Sequence, residues 1–77
     1  MPEIRPMTEI PVGQRVRLVR IDGGRELTRR LLALGLGMNQ EIEVLQHRGR
    51  GVVVARGGNR IALGGGIAEK LMAELLP

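Results

Sequence analysis

The sequence predicts a mainly β domain, a small antiparallel β-barrel with one inserted amphipathic helix over about residues 25–34 and a short C-terminal helical turn. Two observations predict this class. Apolar and charged residues alternate in several short runs, and connectors of two or three residues rich in glycine separate most of these runs. Because connectors this short join antiparallel neighbours, the strands should form a meander and not a parallel sheet.

The first long strand is predicted to begin after Gly13. Apolar Val16 and Leu18 alternate there with arginines, which is the pattern of a half-buried strand. The alternation shifts phase over residues 19–21, and such a shift indicates a bulge or a strong twist.

The segment that follows has the spacing of a three-turn amphipathic helix. Its apolar residues recur at i, i+4 and i+7 and form the expected buried face: Leu27, Leu31 and Leu34. Gly35 stands where a left-handed residue commonly ends a helix. Leu36 is then placed to fold back onto the last turn, as in a Schellman motif.

Three further strands are predicted over residues 41–47, 51–56 and 59–63. The C-terminal segment is ambiguous, because its apolar spacing fits either a helix over residues 66–75 or a strand. Propensity favours the helix, whereas a closed barrel needs a last strand to cover the edge of the first one. The number and length of these elements suit a barrel of SH3-like or OB-like size.

The composition indicates one domain with an aliphatic core. We expect a flexible lead-in over residues 1–6 and a single domain over residues 7–77. The chain has no Cys, Phe, Trp or Tyr, so Val, Ile, Leu, Ala and Met must fill the core. The longest run of apolar residues and glycines is far too short to span a bilayer, and the N-terminus lacks a continuous apolar stretch. We therefore expect a cytoplasmic protein without direct membrane insertion.

The residues offer little for catalysis or metal binding. The chain has no Ser or Cys, and neither Thr8 nor Thr28 has a neighbouring base. One histidine, His47, and the pair Glu41 and Glu43 do not make a convincing ligand set. The glycine runs lack the signatures of phosphate-binding loops. We predict no catalytic, cofactor or metal site, and hence no enzyme.

The net charge of +4 is carried almost entirely by arginine, which makes up 11 of the 12 basic residues. Arginine suits bidentate contact with carboxylates or phosphates. A nucleic-acid face could be built from arginines on the hairpins of the second half: Arg48, Arg50, Arg56 and Arg60. Barrels that bind single strands gain much of their affinity from aromatic stacking, which this chain lacks. We therefore expect no nucleic-acid partner and keep that function as the alternative.

Five short motifs, taken in order, resemble the FeoA family over about residues 7–75. They are Gly23-Gly24, Arg30-Leu31, Leu34-Gly35-Leu36, Glu41-Ile42-Glu43-Val44-Leu45, and Arg60-Ile61-Ala62-Leu63 leading into Ala68. The resemblance implies an SH3-like fold and a small cytoplasmic accessory protein of bacterial ferrous iron uptake. It also implies a partner, FeoB, the membrane ferrous iron transporter with a cytoplasmic GTPase domain, on which the protein would dock and which it would modulate.

The resemblance has two further implications. The family's usual Pro-Gly turn after the helix is replaced here by Met38-Asn39, and Asn tolerates the left-handed conformation that the glycine would supply. The family pattern places a short helix near residues 66–70 and a strand over residues 71–75, which resolves the ambiguous segment. The alternative family reading is a freestanding relative of the SH3-like domain of metal-dependent repressors.

We predict that the helix and the corner after it bind the partner. The expected surface has an apolar centre with a cationic rim, as protein interfaces often do. Its predicted residues are Arg29, Arg30, Leu36, Met38 and Asn39. Met38 is the residue of this corner that packing explains least.

Overall fold

The structure, a computed structural model, describes residues 2–77, which form six strands, two helices and one 3-10 turn. In chain order they are β1 (Ile4–Pro6), the 3-10 turn (Met7–Glu9), β2 (Arg15–Ile21), α1 (Gly24–Ala33), β3 (Glu41–Arg48), β4 (Gly51–Arg56), β5 (Asn59–Leu63), α2 (Gly65–Ala68) and β6 (Leu71–Leu75). The predicted mainly β class with one inserted helix is confirmed. The helix begins and ends one residue earlier than predicted, and the second helix covers Gly65–Ala68 and not residues 66–70.

All six strands join one antiparallel sheet in the order β1-β6-β2-β3-β4-β5. The predicted closure of a barrel is wrong for the described residues, because β1 and β5 are the two ends of the sheet and do not pair with each other. The 3-10 turn instead connects strands from the two halves of the sheet. The 3-10 turn contacts β4 and β6, and α2 contacts β4 and the 3-10 turn.

The expected flexible lead-in over residues 1–6 is wrong for Ile4–Pro6. These residues form β1, which pairs antiparallel with β6 in the register Ile4 to Glu74 and Pro6 to Met72. A three-residue strand is too short to show a period, and its partner lies at the other end of the chain. The first residue of the expected lead-in lies outside the described residues.

The core is aliphatic, as predicted. It is a single cluster of buried side chains contributed by strands on both halves of the sheet, the 3-10 turn and both helices. Its members are Met7, Ile10, Val16, Leu18, Leu27, Leu31, Leu36, Ile42, Val44, Val52, Val54, Leu63, Ala68, Leu71 and Ala73. The alternation in β2 therefore predicted its buried face correctly, and the expected irregularity is a register shift between Leu18 and Arg20 against β6.

Helix α1 ends in the predicted Schellman geometry, but a different leucine is buried. The amide of Leu36 donates to the Leu31 carbonyl at 2.8 Å, and the amide of Gly35, at φ +88°, donates to Leu32 at 2.9 Å. Leu34 was expected in the core and is 52% exposed, whereas Leu36 is fully buried. The reason is that Leu34 is the C-cap, and the motif turns the chain so that the second residue after the cap packs on the helix.

Candidate functional site

The corner after α1 is a tight turn anchored to β2. The amide of Asn39 donates to the Leu18 carbonyl at 2.7 Å, and the amide of Leu18 donates to the Gln40 carbonyl at 3.1 Å. Within the turn, the Gln40 amide lies 3.3 Å from the Gly37 carbonyl, and Asn39 has φ +68°. A positive φ at the third residue is the feature of a type II turn. The expected left-handed Asn39 is confirmed, and Met38 is the second residue of the turn.

The left-handed backbone of Asn39 gives a direct prediction. Asn39→Ala should lower the free energy of unfolding by about 1 kcal/mol, because a β-carbon disfavours this conformation and alanine has no polar side chain to offset the cost. Asn39→Gly is the matched variant and should leave stability unchanged or slightly higher. Urea denaturation followed by circular dichroism measures both. Equal losses for Ala and Gly would show that the asparagine side chain, and not the backbone conformation, carries the effect.

An arginine from the end of β4 supports the same corner. Arg56 donates from Nε and Nη2 to Oε1 of Gln40, at 3.0 and 2.7 Å. A β-carbon at Gly35 would lie 3.3 Å from Nη1 of Arg56. Arg56 was expected on a basic hairpin face, and the structure places its half-buried side chain against the end of α1. The remaining arginines of that predicted face, Arg48, Arg50 and Arg60, are exposed.

Three large apolar side chains are exposed around this corner. Leu32 is 64% exposed, Leu34 is 52% exposed and Met38 is 45% exposed. A β-carbon at Gly37 would lie 3.1 Å from Cδ1 of Leu32, so the Leu32 side chain lies over the residue that precedes Met38. We call these three residues the corner patch. A domain whose core is already complete does not need them for packing.

The predicted site residues divide into exposed and buried members. Arg29, Arg30 and Asn39 are exposed and Met38 is partly exposed, as expected. The prediction for Leu36 is wrong, because its side chain is fully buried and cannot contact a partner.

Sequence reasoning did not assign Leu32 or Leu34 to the surface. The exposure of Leu32 could have been predicted from helix geometry. Leu32 follows Leu31 in the chain but lies about 100° away around the helix, outside the buried stripe. The signal for Leu34 was Gly35, because a left-handed glycine after the helix makes Leu34 its cap.

A shallow, open groove of about 540 Å³ runs along α1 and shares Leu32 with the corner patch. It is lined by Gly24, Arg25, Thr28, Arg29 and Leu32. The hydroxyl of Thr28 donates to the Gly24 carbonyl at 2.9 Å, so its hydrogen is already used. We call this feature the α1 groove.

The arginines of α1 differ from those of β2 in their pairing. Arg15 binds Glu41 at 3.0 Å, and Arg20 binds Asp22 at 3.0 Å. Within residues 2–77, no carboxylate forms an ion pair with the arginines of α1, Arg25, Arg29 and Arg30. Helix α1, whose one carboxylate is Glu26, therefore presents a net positive charge next to exposed apolar side chains.

Two other polar side chains that the sequence singled out, His47 and Glu41, have structural partners. Nε2 of His47 donates to the Ile10 carbonyl at 2.6 Å, because a carbonyl can only accept. Glu41 lies between Arg15 and Arg17, at 3.0 and 3.7 Å. In the described part of the chain, no three His, Cys, Asp or Glu side chains converge as metal ligands. What residues 2–77 do present on α1 is a set of exposed apolar side chains beside exposed arginines.

Neither helix formed by residues 2–77 has the length and hydrophobicity to cross a bilayer.

Comparison with known proteins gives a consistent result. The model of the FeoA domain family matches residues 5–75. A protein of Methanocaldococcus jannaschii named Fe(2+) transport protein A is 29% identical over 69 residues, which cover 90% of this chain and 84% of that protein. The crystal structure of an iron uptake regulatory protein, FeoA, superposes with a TM-score of 0.87 at 31% identity, covering 96% of this chain and 100% of the other.

A manganese-dependent transcriptional repressor also has this fold. It superposes with a TM-score of 0.86 at 20% identity, and the match covers 99% of this chain but 44% of the repressor. At this identity the similarity concerns the fold alone.

Proposed function

This chain belongs to the FeoA family of ferrous iron transport accessory proteins, and from this premise we propose that it docks in the cytoplasm on a FeoB-type membrane transporter and modulates it without catalysing a reaction itself. The process in which it would act is bacterial ferrous iron uptake, as the resemblance to the family implies. The observation that supports docking most directly is the corner patch, whose apolar side chains stay exposed beside the arginines of α1, which form no ion pair within residues 2–77.

The corner is suited to this role because its shape is already set. The turn is hydrogen-bonded to β2, and Arg56 holds Gln40 from the other side. A partner that binds a rigid surface loses less free energy to the ordering of side chains and backbone. Exposed apolar anchors with arginine beside them are the usual source of interface energy.

We expect Met38→Asp and Leu32→Asp to weaken binding to the purified full-length transporter by about tenfold or more, since each puts a carboxylate into an apolar contact. Copurification and the dissociation constant measure the effect. The circular dichroism spectrum and melting temperature should stay close to those of the unaltered protein, because both side chains are substantially exposed. Val12→Asp is the matched control, since Val12 is 59% exposed in the turn before β2.

Undiminished binding by both variants would show that the corner patch is not the contact. Loss of binding by Val12→Asp alone would move the contact to the turn before β2. Fluorescence anisotropy with a labelled oligonucleotide tests the nucleic-acid alternative. Binding that is present at physiological salt and falls steeply as salt rises, together with no binding to the transporter, would contradict the proposed function.

A further inference from the structure

The α1 groove joins the exposed apolar side chain of Leu32 to two arginines, Arg25 and Arg29, that form no ion pair within residues 2–77. From this juxtaposition we propose that the groove receives an acidic amphipathic segment of the partner protein, with two carboxylates one helical turn apart beside an apolar side chain. The inference rests on the proposed function and specifies the chemistry of the partner at that site. The apolar side chain would lie against Leu32, and the carboxylates would bind Arg25 and Arg29.

The groove is more suitable for a protein segment than for a small molecule. It is shallow and open to solvent, and all five lining residues belong to α1, so within residues 2–77 no second element lines it. Because a small ligand normally needs most of its surface buried, one helix face cannot hold it well. A segment that brings its own second wall can cover the groove.

The bottom of the groove can accept an apolar side chain of the partner. Nothing lies within 4 Å of the place where a β-carbon of Gly24 would be, so the groove is open at that end. The Thr28 hydroxyl already donates its hydrogen to Gly24, and Leu32 is 64% exposed. Removing this leucine from water is favourable in proportion to the apolar area that the partner covers.

The charges of the groove specify carboxylates. Arg25 and Arg29 are one helical turn apart, about 6 Å along the axis, and face the same groove. Each guanidinium can bind a carboxylate with two parallel hydrogen bonds. Neither side chain has a salt-bridge partner in the part of the chain that the structure describes. An acidic segment supplies the missing partners at matching spacing, and electrostatic attraction would also speed its association.

A phosphate-rich partner fits these features less well. A nucleic acid or an anionic lipid surface favours a continuous basic face. The surface at α1 instead has three side chains exposed that are not basic, those of Glu26, Leu32 and Leu34. Apolar area interrupted by a few arginines is the composition of a contact between proteins.

The first experiment uses charge reversal with a matched control. The double variant Arg25→Glu/Arg29→Glu should bind the full-length transporter about tenfold or more weaker and lose most of the salt dependence of binding. The double variant Arg48→Glu/Arg60→Glu changes the net charge equally on exposed positions of the hairpins and should bind within about twofold of the unaltered protein. If the α1 variant binds normally while Leu32→Asp does not, the acidic-segment proposal fails and the proposed function stands.

A second measurement is independent of the transporter. A designed helical peptide with Glu at i and i+4 and Leu beside them is titrated into the isotope-labelled protein and followed by NMR. The expected result is that chemical shift changes concentrate in residues 24–38, and that a peptide with Gln in place of both Glu gives much smaller changes. Vesicles with anionic lipid and a short oligonucleotide are run in parallel. Shift changes in this region with either of these, and none with the acidic peptide, would overturn the proposal.

Discussion

Leu36→Ala is expected to lower the free energy of unfolding by about 2 to 5 kcal/mol, which is the usual cost of removing a fully buried leucine side chain. Leu36 closes the last turn of α1 and belongs to the single core cluster. A domain of this length has a total stability of about 4 to 12 kcal/mol. The substitution could therefore leave a large fraction of the protein unfolded.

Leu34→Ala is the matched control for this prediction. The residue is of the same type and two positions away, but it is 52% exposed, so its truncation should cost about 1 kcal/mol or less. Urea denaturation at equilibrium measures both variants. Equal losses of stability in the two variants would contradict the finding that Leu36 is buried in the core and Leu34 is exposed. The result also separates folding from binding, since Leu34→Ala should weaken docking without unfolding the domain if the corner patch is the contact.

Gly51→Ala is the second substitution with a large expected effect. An added β-carbon would lie 2.6 Å from the Leu63 carbonyl oxygen and 3.4 Å from that of Arg48. Both neighbours are backbone atoms of paired strands, which cannot rotate away as a side chain can. The overlap should cost about 3 kcal/mol or more, at the upper end of the range for overpacking. For a domain of this size, that corresponds to a fall in melting temperature of about 12 to 24 °C.

Gly58→Ala serves as the control for Gly51→Ala. Gly58 is exposed in the connector between β4 and β5, and no atom lies within 4 Å of the position that an added β-carbon would take. Its substitution should change the free energy of unfolding by about 0.5 kcal/mol or less. Thermal unfolding followed by circular dichroism compares the two. A melting temperature of Gly51→Ala within a few degrees of that of Gly58→Ala would show that the strands separate at little cost.

The candidate site could be predicted in part. Arg29 and Arg30 lie off the buried stripe of the helix, and Met38 lies past its cap, so their exposure follows from helix geometry and turn chemistry. Leu36 was wrongly placed on the surface, although the predicted Schellman motif itself called for an apolar contact at that residue. The groove beside Leu32 was missed, because periodicity shows which face is buried and not whether another element covers the neighbouring face.

The support of the corner by Arg56 could not be predicted. Its hydrogen bonds to Gln40 join residues 16 positions apart, and nothing in their local sequence distinguishes Arg56 from the exposed arginines of the hairpins. Which arginines remain free to meet a partner depends on such pairings. The contrast between Arg15, which pairs with Glu41 26 positions away, and Arg29, which has no carboxylate partner within residues 2–77, is likewise a result of folding.

The features that could be predicted from the sequence are those with a local physical cause. Strands β2 to β5, the end of α1 at Gly35 and the left-handed Asn39 follow from alternation, capping and φ preferences. Strand β1, the open ends of the sheet and the α1 groove depend on the packing of segments far apart in the chain. Side chains and backbone groups from those segments meet only after folding, so their contacts leave no periodic pattern in the sequence.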